Sequence, residues 1–460
     1  MMEKTIELNF SQTENGMKAR IGNGRLKDKE FSLVYPAKIW QSYPQATKDF
    51  LFENLAHLLT INLPLIAELE KVEYNTPVPA FEDLFRTVVV KSLPHAVEDY
   101  DIKTEDIIKK FLGINYQFNG KLNGHKNFNG FEAKVADKAI VMLSCGKDSL
   151  LSLGVCGEAE LEPVPVYVND TVSPSENRIK LRFGKMLAEE SGLNFFVVRN
   201  ELERLNDFET WKKGESCVGY THMLTGFCLI ALPFAHRFGA GHVVLGNQQS
   251  MNASFVNKDG FLTYPSYDQT IEWMKRQDRM VKAATCGRTG VMSVIEPLSN
   301  IAITRILGKR YPALAKYQVS CDSLDASDEK RWCHECSKCG RLSLFMAACG
   351  LDPRSAGFRG TLMQKRHKEL YVLFNGRGAD CYEKSRDARD QQLLAFLLAY
   401  RNGIRGYLID LFRKRFLEEA ETREDGLRKK FFSLHESATM PKHIKKKVFS
   451  IYKEELDDVL

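Results

Sequence analysis

Residues 141–151 have the sequence VMLSCGKDSLL, and this stretch decides the fold of the chain. It begins within a short apolar run at residues 139–143, which is typical of a strand buried on both faces of a parallel sheet. Residues 144–149 then bring small, flexible and charged side chains into one turn, and the apolar residues that follow have helical spacing. The stretch therefore predicts a buried strand that passes through a tight turn into a helix.

The predicted turn has the residue types of an anion site. Such a turn directs the free N–H groups at the start of a helix toward one point. The hydroxyls of Ser144 and Ser149 would add donors, whereas Lys147 and Asp148 would handle phosphate charge and a metal ion. The turn matches neither the Walker phosphate loop nor the G-x-G-x-x-G dinucleotide motif. A serine-rich helix cap with a purely structural role is the alternative interpretation.

Length and composition limit the class of protein. A chain of 460 residues has room for about three domains, and 44% hydrophobic residues are ordinary for a folded protein. Its net charge of +6 is too small to indicate a nucleic-acid binder by itself. The first residues lack the apolar core of a signal peptide, and no apolar run approaches the roughly 18 residues of a membrane span. We therefore expect a cytoplasmic protein without a membrane partner, with the oligomeric state left open.

Residues 136–320 alternate between strand and helix patterns. This alternation indicates an α/β domain with a parallel sheet. After the first strand and helix, further strands are predicted at residues 162–168, 194–198 and 242–245, and helices at residues 178–192 and 219–237.

Polar residues follow the predicted strands where each strand ends. Asn169 and Asp170 come after the second strand, and Gly246 and Asn247 come after the fourth. Ligands of open parallel sheets bind at the carboxyl ends of the strands. We therefore expect Asn169, Gly246 and Asn247 to lie close to the turn at residues 144–149 and to form a nucleotide site with it.

The two ends of the chain carry less information. Residues 1–135 predict a mixed α+β domain of unknown role, which ends in a linker rich in Gly and Asn at residues 115–130. Residues 356–460 predict a helical region that is basic around residues 428–430 and 442–447. A packed helical appendage with solvated lysines is the favoured interpretation of this region, and a surface for RNA or an acidic partner is the alternative.

Four cysteines indicate a metal-binding module at residues 321–355. Cys333, Cys336 and Cys339 have C-x-x-C-x-x-C spacing, and Cys321 precedes them beyond an acidic loop. Four thiolates at this spacing predict a tetrahedral structural Zn²⁺ site. An iron–sulfur cluster is the main alternative, and His334 could replace one thiolate. Because no open coordination position is implied, the metal is expected to support folding rather than catalysis.

The hexapeptide SCGKDS at residues 144–149 resembles the S-G-G-x-D-S loop of the PP-loop (N-type) ATP pyrophosphatases, with Cys145 where that family usually has glycine. The resemblance implies an adenine-nucleotide alpha-hydrolase-like (HUP-type) parallel sheet with helices on both faces. It also implies that ATP and Mg²⁺ bind, that AMP passes to an oxygen of the substrate and that pyrophosphate is released. Ser144, Cys145 and Gly146 would help bind ATP, and Lys147, Asp148 and Ser149 would both bind it and act in catalysis.

A phosphate loop followed by a cysteine knuckle is similar to two enzyme families of this superfamily. The UDP-N-acetylmuramoyl-L-alanyl-L-glutamate epimerases are the closer resemblance, which extends over residues 296–305 and 320–339, and the 7-cyano-7-deazaguanine synthases are the next. Both imply that a carboxylate of a small or nucleotide-linked substrate is adenylated. In an epimerase the adenylate acidifies the neighbouring α carbon, for which Cys145, His222 and Asp268 are the candidate bases.

In a synthase, by contrast, ammonia attacks the adenylate and a second ATP drives dehydration to a nitrile. A third hypothesis from a different class is a zinc-stabilised protein that binds or modifies tRNA. This hypothesis depends on the basic C-terminal segments and the cysteines. A nucleic acid is less favoured as a partner than a small or nucleotide-linked carboxylate.

Overall fold

The computed structural model describes residues 4–121, 136–213, 218–321, 331–376 and 381–460 of the chain. Most of the predicted Gly- and Asn-rich linker and the acidic loop after Cys321 lie outside these residues. Within them the chain forms a mixed α/β structure in which helices flank a large, mostly parallel sheet.

In the described part of the chain ten strands form one sheet, and β10 and β11 form a separate two-stranded ribbon. In chain order the strands are β1 (Thr5–Thr13), β2 (Gly16–Ile21), β3 (Glu30–Val34), β4 (Lys71–Tyr74), β5 (Asn115–Phe118), β6 (Ala136–Met142), β7 (Glu162–Asn169), β8 (Phe196–Asn200), β9 (Ala240–Val244), β10 (Phe255–Val256), β11 (Leu262–Thr263) and β12 (Gly290–Met292).

The α-helices are distributed over all five described parts of the chain, of which residues 331–376 contain α14 alone. They are α1 (Ala37–Gln41), α2 (Gln45–Leu58), α3 (Leu63–Ala67), α4 (Glu82–Ala96), α5 (Thr104–Leu112), α6 (Lys147–Glu158), α7 (Pro174–Ser191), α8 (Phe208–Trp211), α9 (Met223–Ile230), α10 (Leu232–Phe238), α11 (Ile271–Ala284), α12 (Asn300–Arg310), α13 (Pro312–Ala315), α14 (Ser337–Ala348), α15 (Arg386–Arg401), α16 (Tyr407–Phe432) and α17 (Lys442–Leu456). Short 3-10 helices lie at Leu202–Asn206, Val218–Tyr220, Gln249–Asn252, Tyr267–Gln269, Pro353–Ala356, Lys365–Leu370, Val372–Phe374, Cys381–Lys384 and Asp457–Val459.

Five parallel strands form the centre of the sheet in the order β8-β7-β6-β9-β12. The chain starts at β6, moves outward to β7 and β8, and then returns to the other side of β6 with β9. At Ile140 the central strand β6 is opposite Val164 of β7 and Val243 of β9. The strand order therefore reverses between β6 and β9, and the carboxyl ends of these two strands border the crevice where open α/β sheets bind ligands.

Strand β6 confirms the strand predicted at residues 139–143. Ala139 and Val141 belong to a hydrophobic core that includes α6, α12 and the helices after α14. Ile140 and Met142 belong to a second core, formed with the N-terminal region and α9–α11. Because alternate side chains of a strand point to opposite faces, β6 is covered by one core on each face.

The prediction of one continuous apolar helix at residues 219–237 is wrong. The chain instead forms a 3-10 turn at Val218–Tyr220 and then α9 and α10, which meet at Ala231. Pro233 lies in the first turn of α10. Because proline has no N–H to donate to the carbonyl four residues earlier, a single unbroken helix would lose a hydrogen bond here.

Two helical segments have the length and the apolar composition that would allow a helix to cross a membrane. Gln45–Ala67 and Val218–Phe238 each have a mean hydropathy of 1.4, and 83% and 78% of their most apolar stretches are buried inside the protein. Their apolar side chains are accordingly part of the hydrophobic core.

The N-terminal region continues the same sheet. Strand β3 pairs with β8 in an antiparallel arrangement, with Leu33 opposite Asn200, and β2, β1, β4 and β5 follow outward from it. Side chains of β1–β4 and of β6–β9 share one hydrophobic core. The domain boundaries given above stay predictions.

The basic C-terminal segments carry many ion pairs. Helices α15–α17 share the core that lies on α6, α12 and α14. Within residues 428–430 and 442–447, four cations have carboxylate partners, namely Arg428 with Glu424, Lys430 with Asp387, Lys445 with Glu436 and Lys447 with Glu160. This pairing reduces the positive charge that the segments offer to a nucleic acid.

Candidate functional site

The turn after β6 has a left-handed residue at its centre. Cys145 has a φ of 57°, a conformation that glycine adopts without strain and other residues rarely adopt. Its side chain is 1% exposed, and the thiol donates to the carbonyl of Lys180 at 3.7 Å. The backbone therefore turns as it would with glycine, and the extra side chain is buried beneath the turn.

Helix α6 starts immediately after this turn. Its N-cap, Gly146, has no side chain to cap the first N–H groups. The hydroxyl of Ser149 accepts from the N–H of Ser144 at 3.2 Å and donates to the carbonyl of Gly146 at 3.1 Å, which holds the turn closed. Because the first N–H groups of a helix lack partners within it, the start of α6 can bind an anion.

Gly246 brings the end of β9 against the start of α6. A Cβ atom placed on Gly246 would lie 3.2 Å from Cβ of Asp148, which is tighter than an ordinary van der Waals contact. The absence of a side chain therefore keeps the end of β9 close to the turn.

Two cavities adjoin at the turn. The smaller has a volume of about 260 Å³ and lies at the ends of β6, β7 and β9, and the larger has a volume of about 400 Å³ and extends toward α14. Both are lined by Ser144, Asp148, Lys180 and Gln269. The smaller cavity also has apolar walls, formed by Val166, Val168, Met223, Leu224, Phe227 and Leu245.

Most of the predicted site residues meet at these cavities. Those that line at least one of them are Ser144, Gly146, Lys147, Asp148, Ser149, Gly246 and Asn247. Cys145 and Asn169 line neither, because Cys145 is buried beneath the turn and Oδ1 of Asn169 accepts from the N–H of Thr171 at 3.2 Å. The neighbouring Asp170 lines the smaller cavity instead.

Asn247 carries a buried amide in the wall of the smaller cavity. The residue is 2% exposed, and neither its side-chain nitrogen nor its side-chain oxygen has a hydrogen-bond partner among the residues that the structure describes. A buried polar group without a partner costs about 1–3 kcal/mol. A ring that offers an adjacent donor and acceptor, as adenine does, could satisfy both atoms of the amide.

The larger cavity includes residues that sequence reasoning missed. Lys180 and Glu176 form an ion pair on α7, and Lys338 and Arg341 come from α14. His95, Gln248 and Tyr382 also line the cavity. The i, i+4 spacing of Glu176 and Lys180 after a strand was a usable signal, whereas nothing in the sequence connected His95 or Tyr382 with the turn.

Two of the three candidate bases are held within the core. Burial raises the pKa of the Cys145 thiol to about 12, so little thiolate is present at neutral pH. The ring of His222 is buried, with Asn62 Nδ2 2.9 Å from Nδ1 and Glu203 Oε1 3.1 Å from Nε2. His222 does not line either cavity.

Asp268, the third candidate, lies behind the wall of the cavities. Burial raises the pKa of its carboxyl group to about 6. Its oxygens accept from the hydroxyl of Ser266 at 2.6 Å and from the N–H of Leu224 at 3.4 Å. Ser266 and Leu224 line the cavities and Asp268 does not, so Asp268 orders the wall.

The four predicted metal ligands form a compact thiol cluster. The sulfur atoms of Cys321, Cys333, Cys336 and Cys339 all lie within 4.8 Å of one another, with separations of 4.0 Å between Cys321 and Cys336 and 3.8 Å between Cys333 and Cys339. A tetrahedron of sulfurs about 2.3 Å from a zinc ion has edges of about 3.8 Å. The cluster could therefore hold one zinc ion.

The protonation of the thiol cluster and the position of His334 fit the same interpretation. Hydrogen bonding to Cys321 raises the pKa of the Cys339 thiol, so this thiol keeps its proton in the absence of a metal ion. A bound cation would displace that proton and bind the thiolate. His334 turns away from the sulfurs, because its Nε2 accepts from the N–H of Arg359 at 3.2 Å. In a [4Fe–4S] cluster each thiolate binds a different iron, and in a [2Fe–2S] cluster the four thiolates are divided between two irons. The closeness of all four sulfurs to one another therefore favours a single ion.

Sequence comparison finds partial similarity to a characterised class of enzyme. UDP-N-acetyl-alpha-D-muramoyl-L-alanyl-L-glutamate epimerase from Micromonospora sp. is 28% identical to this chain over 214 residues. The alignment covers 44% of this chain and 43% of the relative, so the chain matches less than half the length of that protein. No protein-family model matches the chain. The similarity is consistent with an enzyme and is too limited to assign the chain to a family.

The left-handed turn predicts different effects of two Cys145 substitutions on the stability of the protein. Cys145→Val should destabilise the protein by about 2 kcal/mol, because a β-branched residue is strained at positive φ. Cys145→Gly should stay within about 1 kcal/mol of the wild type, because relief of strain offsets the lost packing. Thermal unfolding would measure both. Cys156→Val is the matched control, because Cys156 is equally buried but helical, and an equal loss in both valine variants would contradict the prediction.

The thiol cluster predicts one tightly bound metal ion per chain. Cys333→Ser and Cys336→Ser should each reduce the bound metal and lower the melting temperature by several degrees, because an incomplete ligand set binds zinc weakly. Elemental analysis of purified protein would identify and count the metal. Cys349→Ser, at a buried cysteine outside the cluster, should retain it. A cluster variant with unchanged metal content would exclude this site.

Proposed function

We propose that this protein is an ATP-dependent, AMP-forming enzyme of the PP-loop type that adenylates a substrate carboxylate. One observation carries the proposal: the uncapped start of α6 and the unpartnered amide of Asn247 border adjoining cavities where the strand order reverses. The order β8-β7-β6-β9-β12 is the 3-2-1-4-5 order of doubly wound nucleotide-binding sheets. It supports the more specific proposal of an adenine-nucleotide alpha-hydrolase-like (HUP-type) fold.

The two cavities suggest how ATP would lie. The adenine ring would occupy the smaller, apolar cavity and bond to the amide of Asn247, and the phosphates would reach the N–H groups of α6. Ser144 and Ser149 would add hydroxyl groups, and Lys147 would add charge. Cys145 would contribute through the backbone shape of the turn alone.

Mg²⁺ is also expected at this site. Asp148 lines both cavities and its Oδ1 lies 2.6 Å from Nζ of Lys147, so it offers a hard oxygen ligand beside a phosphate-binding lysine. When bound, the ion would supply positive charge to the leaving pyrophosphate. Asn169 would act indirectly, by shaping the turn that places Asp170 in the cavity wall.

The proposed reaction exchanges one phosphorus–oxygen bond for another. An oxygen of the substrate carboxylate attacks the α phosphorus of ATP, the bond from that phosphorus to the bridging oxygen breaks, and pyrophosphate leaves with the electron pair. The positive groups of the turn and the N–H groups of α6 stabilise the charge that develops on the leaving oxygen. Because these groups are already in place, little reorganisation is needed in the transition state.

The partial similarity to the Micromonospora epimerase supports a proposal for the substrate. We propose that the carboxylate belongs to the glutamyl residue of UDP-N-acetylmuramoyl-L-alanyl-L-glutamate, which would place the enzyme in peptidoglycan precursor synthesis. Adenylation of the carboxylate makes the neighbouring α carbon more acidic, so that its proton can be removed and returned on the opposite face. Water then cleaves the bond between the acyl carbon and the phosphate oxygen, which releases AMP and regenerates the carboxylate. Cys145, His222 and Asp268 are poorly placed for this transfer, because none of them lines either of the two cavities at the turn.

The phosphate-binding turn predicts which products form from ATP and predicts that the rate depends on Ser149. The wild type should convert ATP to AMP and pyrophosphate, and Ser149→Ala should reduce the rate roughly 100-fold, because it removes a hydroxyl group from the phosphate site and the hydrogen bonds that close the turn. Chromatography of the nucleotides would measure this. Ser152→Ala is the matched control, because Ser152 lies one turn further along α6 and outside both cavities. ADP and phosphate as products would contradict the assignment of the turn.

The proposed substrate predicts exchange at one carbon atom. In deuterated water with ATP and Mg²⁺, UDP-N-acetylmuramoyl-L-alanyl-L-glutamate should gain deuterium at the glutamyl α carbon, because the removed proton is replaced from solvent. Mass spectrometry and NMR would locate the label, and omission of ATP is the control. AMP formation without α-carbon exchange would exclude the epimerase, and a nitrile formed from a 7-deazaguanine carboxylate would favour the synthase.

A further inference from the structure

Helix α14 presents one face to the larger cavity. Lys338, Arg341, Leu342 and Phe345 line it. Lys338 is three and four residues before Arg341 and Leu342, and Phe345 is four and three residues after them, so the four side chains share one side of the helix. The phosphate-binding turn lines the same cavity with Ser144, Gly146 and Lys147. The two basic side chains of α14 therefore border the same space as the turn.

The thiol cluster connects α14 to the turn. Cys336 is the N-cap of α14, and its sulfur accepts from the N–H of Cys339 at 3.5 Å. Two residues before Cys321, the N–H of Val319 donates to the carbonyl of Cys145 at 2.8 Å. The cluster thus joins the helix that carries Lys338 and Arg341 to a segment bonded directly to the turn.

Arg341 is positioned by the C-terminal region. Its side chain is 13% exposed, and Nη1 donates to Oε1 of Glu383 at 3.1 Å. The side chain of Glu383 is fully buried, and the ring of Tyr382 lies 5.4 Å from the guanidinium carbon. A buried carboxylate and an aromatic ring therefore hold the guanidinium in one place, as expected for a group that recognises an anion.

Four cations line the larger cavity, namely Lys147, Lys180, Lys338 and Arg341. Among the described residues, the carboxylates of Asp148 and Glu176 also line it and pair with Lys147 and Lys180, and the buried carboxylate of Glu383 pairs with Arg341. Helix α14 therefore adds two cationic side chains to the cavity that the phosphate-binding turn also lines.

We propose that Lys338 and Arg341 form a second anion-binding site on the larger cavity, separate from the start of α6, that takes a phosphate or carboxylate group. The inference rests on the proposed function, which supplies two sources of such a group: the outer phosphates of ATP and an anionic group of the acceptor beside the reacting carboxylate. It gives the cysteine module and the C-terminal region a common role, since both hold this site in position.

The test uses the full-length protein and three variants. Lys338→Gln and Arg341→Lys should each weaken binding of the anion roughly tenfold or more, the first by removing a charge and the second by removing the guanidinium fork. Neither substitution leaves Glu383 without a cationic neighbour. Lys316→Gln is the control, because Lys316 is exposed and outside both cavities. Melting temperatures would verify folding.

Two measurements separate the sources of the anion. Calorimetric titration with inorganic pyrophosphate requires no catalysis, and weaker binding in both site variants would assign the site to the phosphates. If pyrophosphate binding is unchanged and the KM of the carboxylate acceptor rises tenfold or more, the site takes the acceptor's anion. If neither quantity changes, the second anion site is excluded, even if the wild type forms AMP. If the wild type forms only ADP, the proposed function fails while the titration still decides the anion site.

Discussion

The backbone reversal at Cys145 is the constraint on which the rest of the site depends. At a φ of 57° the chain leaves β6 and enters α6 within a few residues, so the first N–H groups of the helix lie at the end of the central strand. Gly246 allows β9 to approach this helix start closely. Because β6 and β9 also border the reversal of strand order, local backbone geometry and sheet topology place the anion-binding N–H groups and the crevice together.

Sequence could predict the parts of the site in which the interacting residues are close along the chain. The strand, turn and helix around residues 144–149 are one local unit, and Cys333, Cys336 and Cys339 meet through a single knuckle. Sequence could not predict that His95 and Tyr382 border one cavity, because nearly 300 residues separate them. Hydropathy likewise predicted one helix at residues 219–237, since it does not register the hydrogen bond that Pro233 cannot make.

Residue type alone also does not show whether a titratable group lies on a cavity or behind its wall. His222 and Asp268 have side chains suited to proton transfer, and burial raises the pKa of Asp268 to about 6, a shift often found at functional sites. Both nevertheless hold the surrounding backbone and side chains in place. Asp268 accepts from Ser266 and Leu224, which line the cavities themselves. Its raised pKa reflects burial behind the site.

The larger cavity depends on both ends of the chain, which explains why its residues cannot be assigned to one region. His95 of α4 and Tyr382 of the C-terminal region line it, and Lys384 forms ion pairs with Glu98 and Asp99 just beyond α4. The N-terminal and C-terminal regions therefore contact each other beside the cavity. If the substrate binds there, its specificity is set in part by residues that neither the phosphate-binding turn nor the cysteine knuckle contains, such as His95 and Tyr382. Enzymes that share those two motifs can therefore differ in the carboxylate they activate.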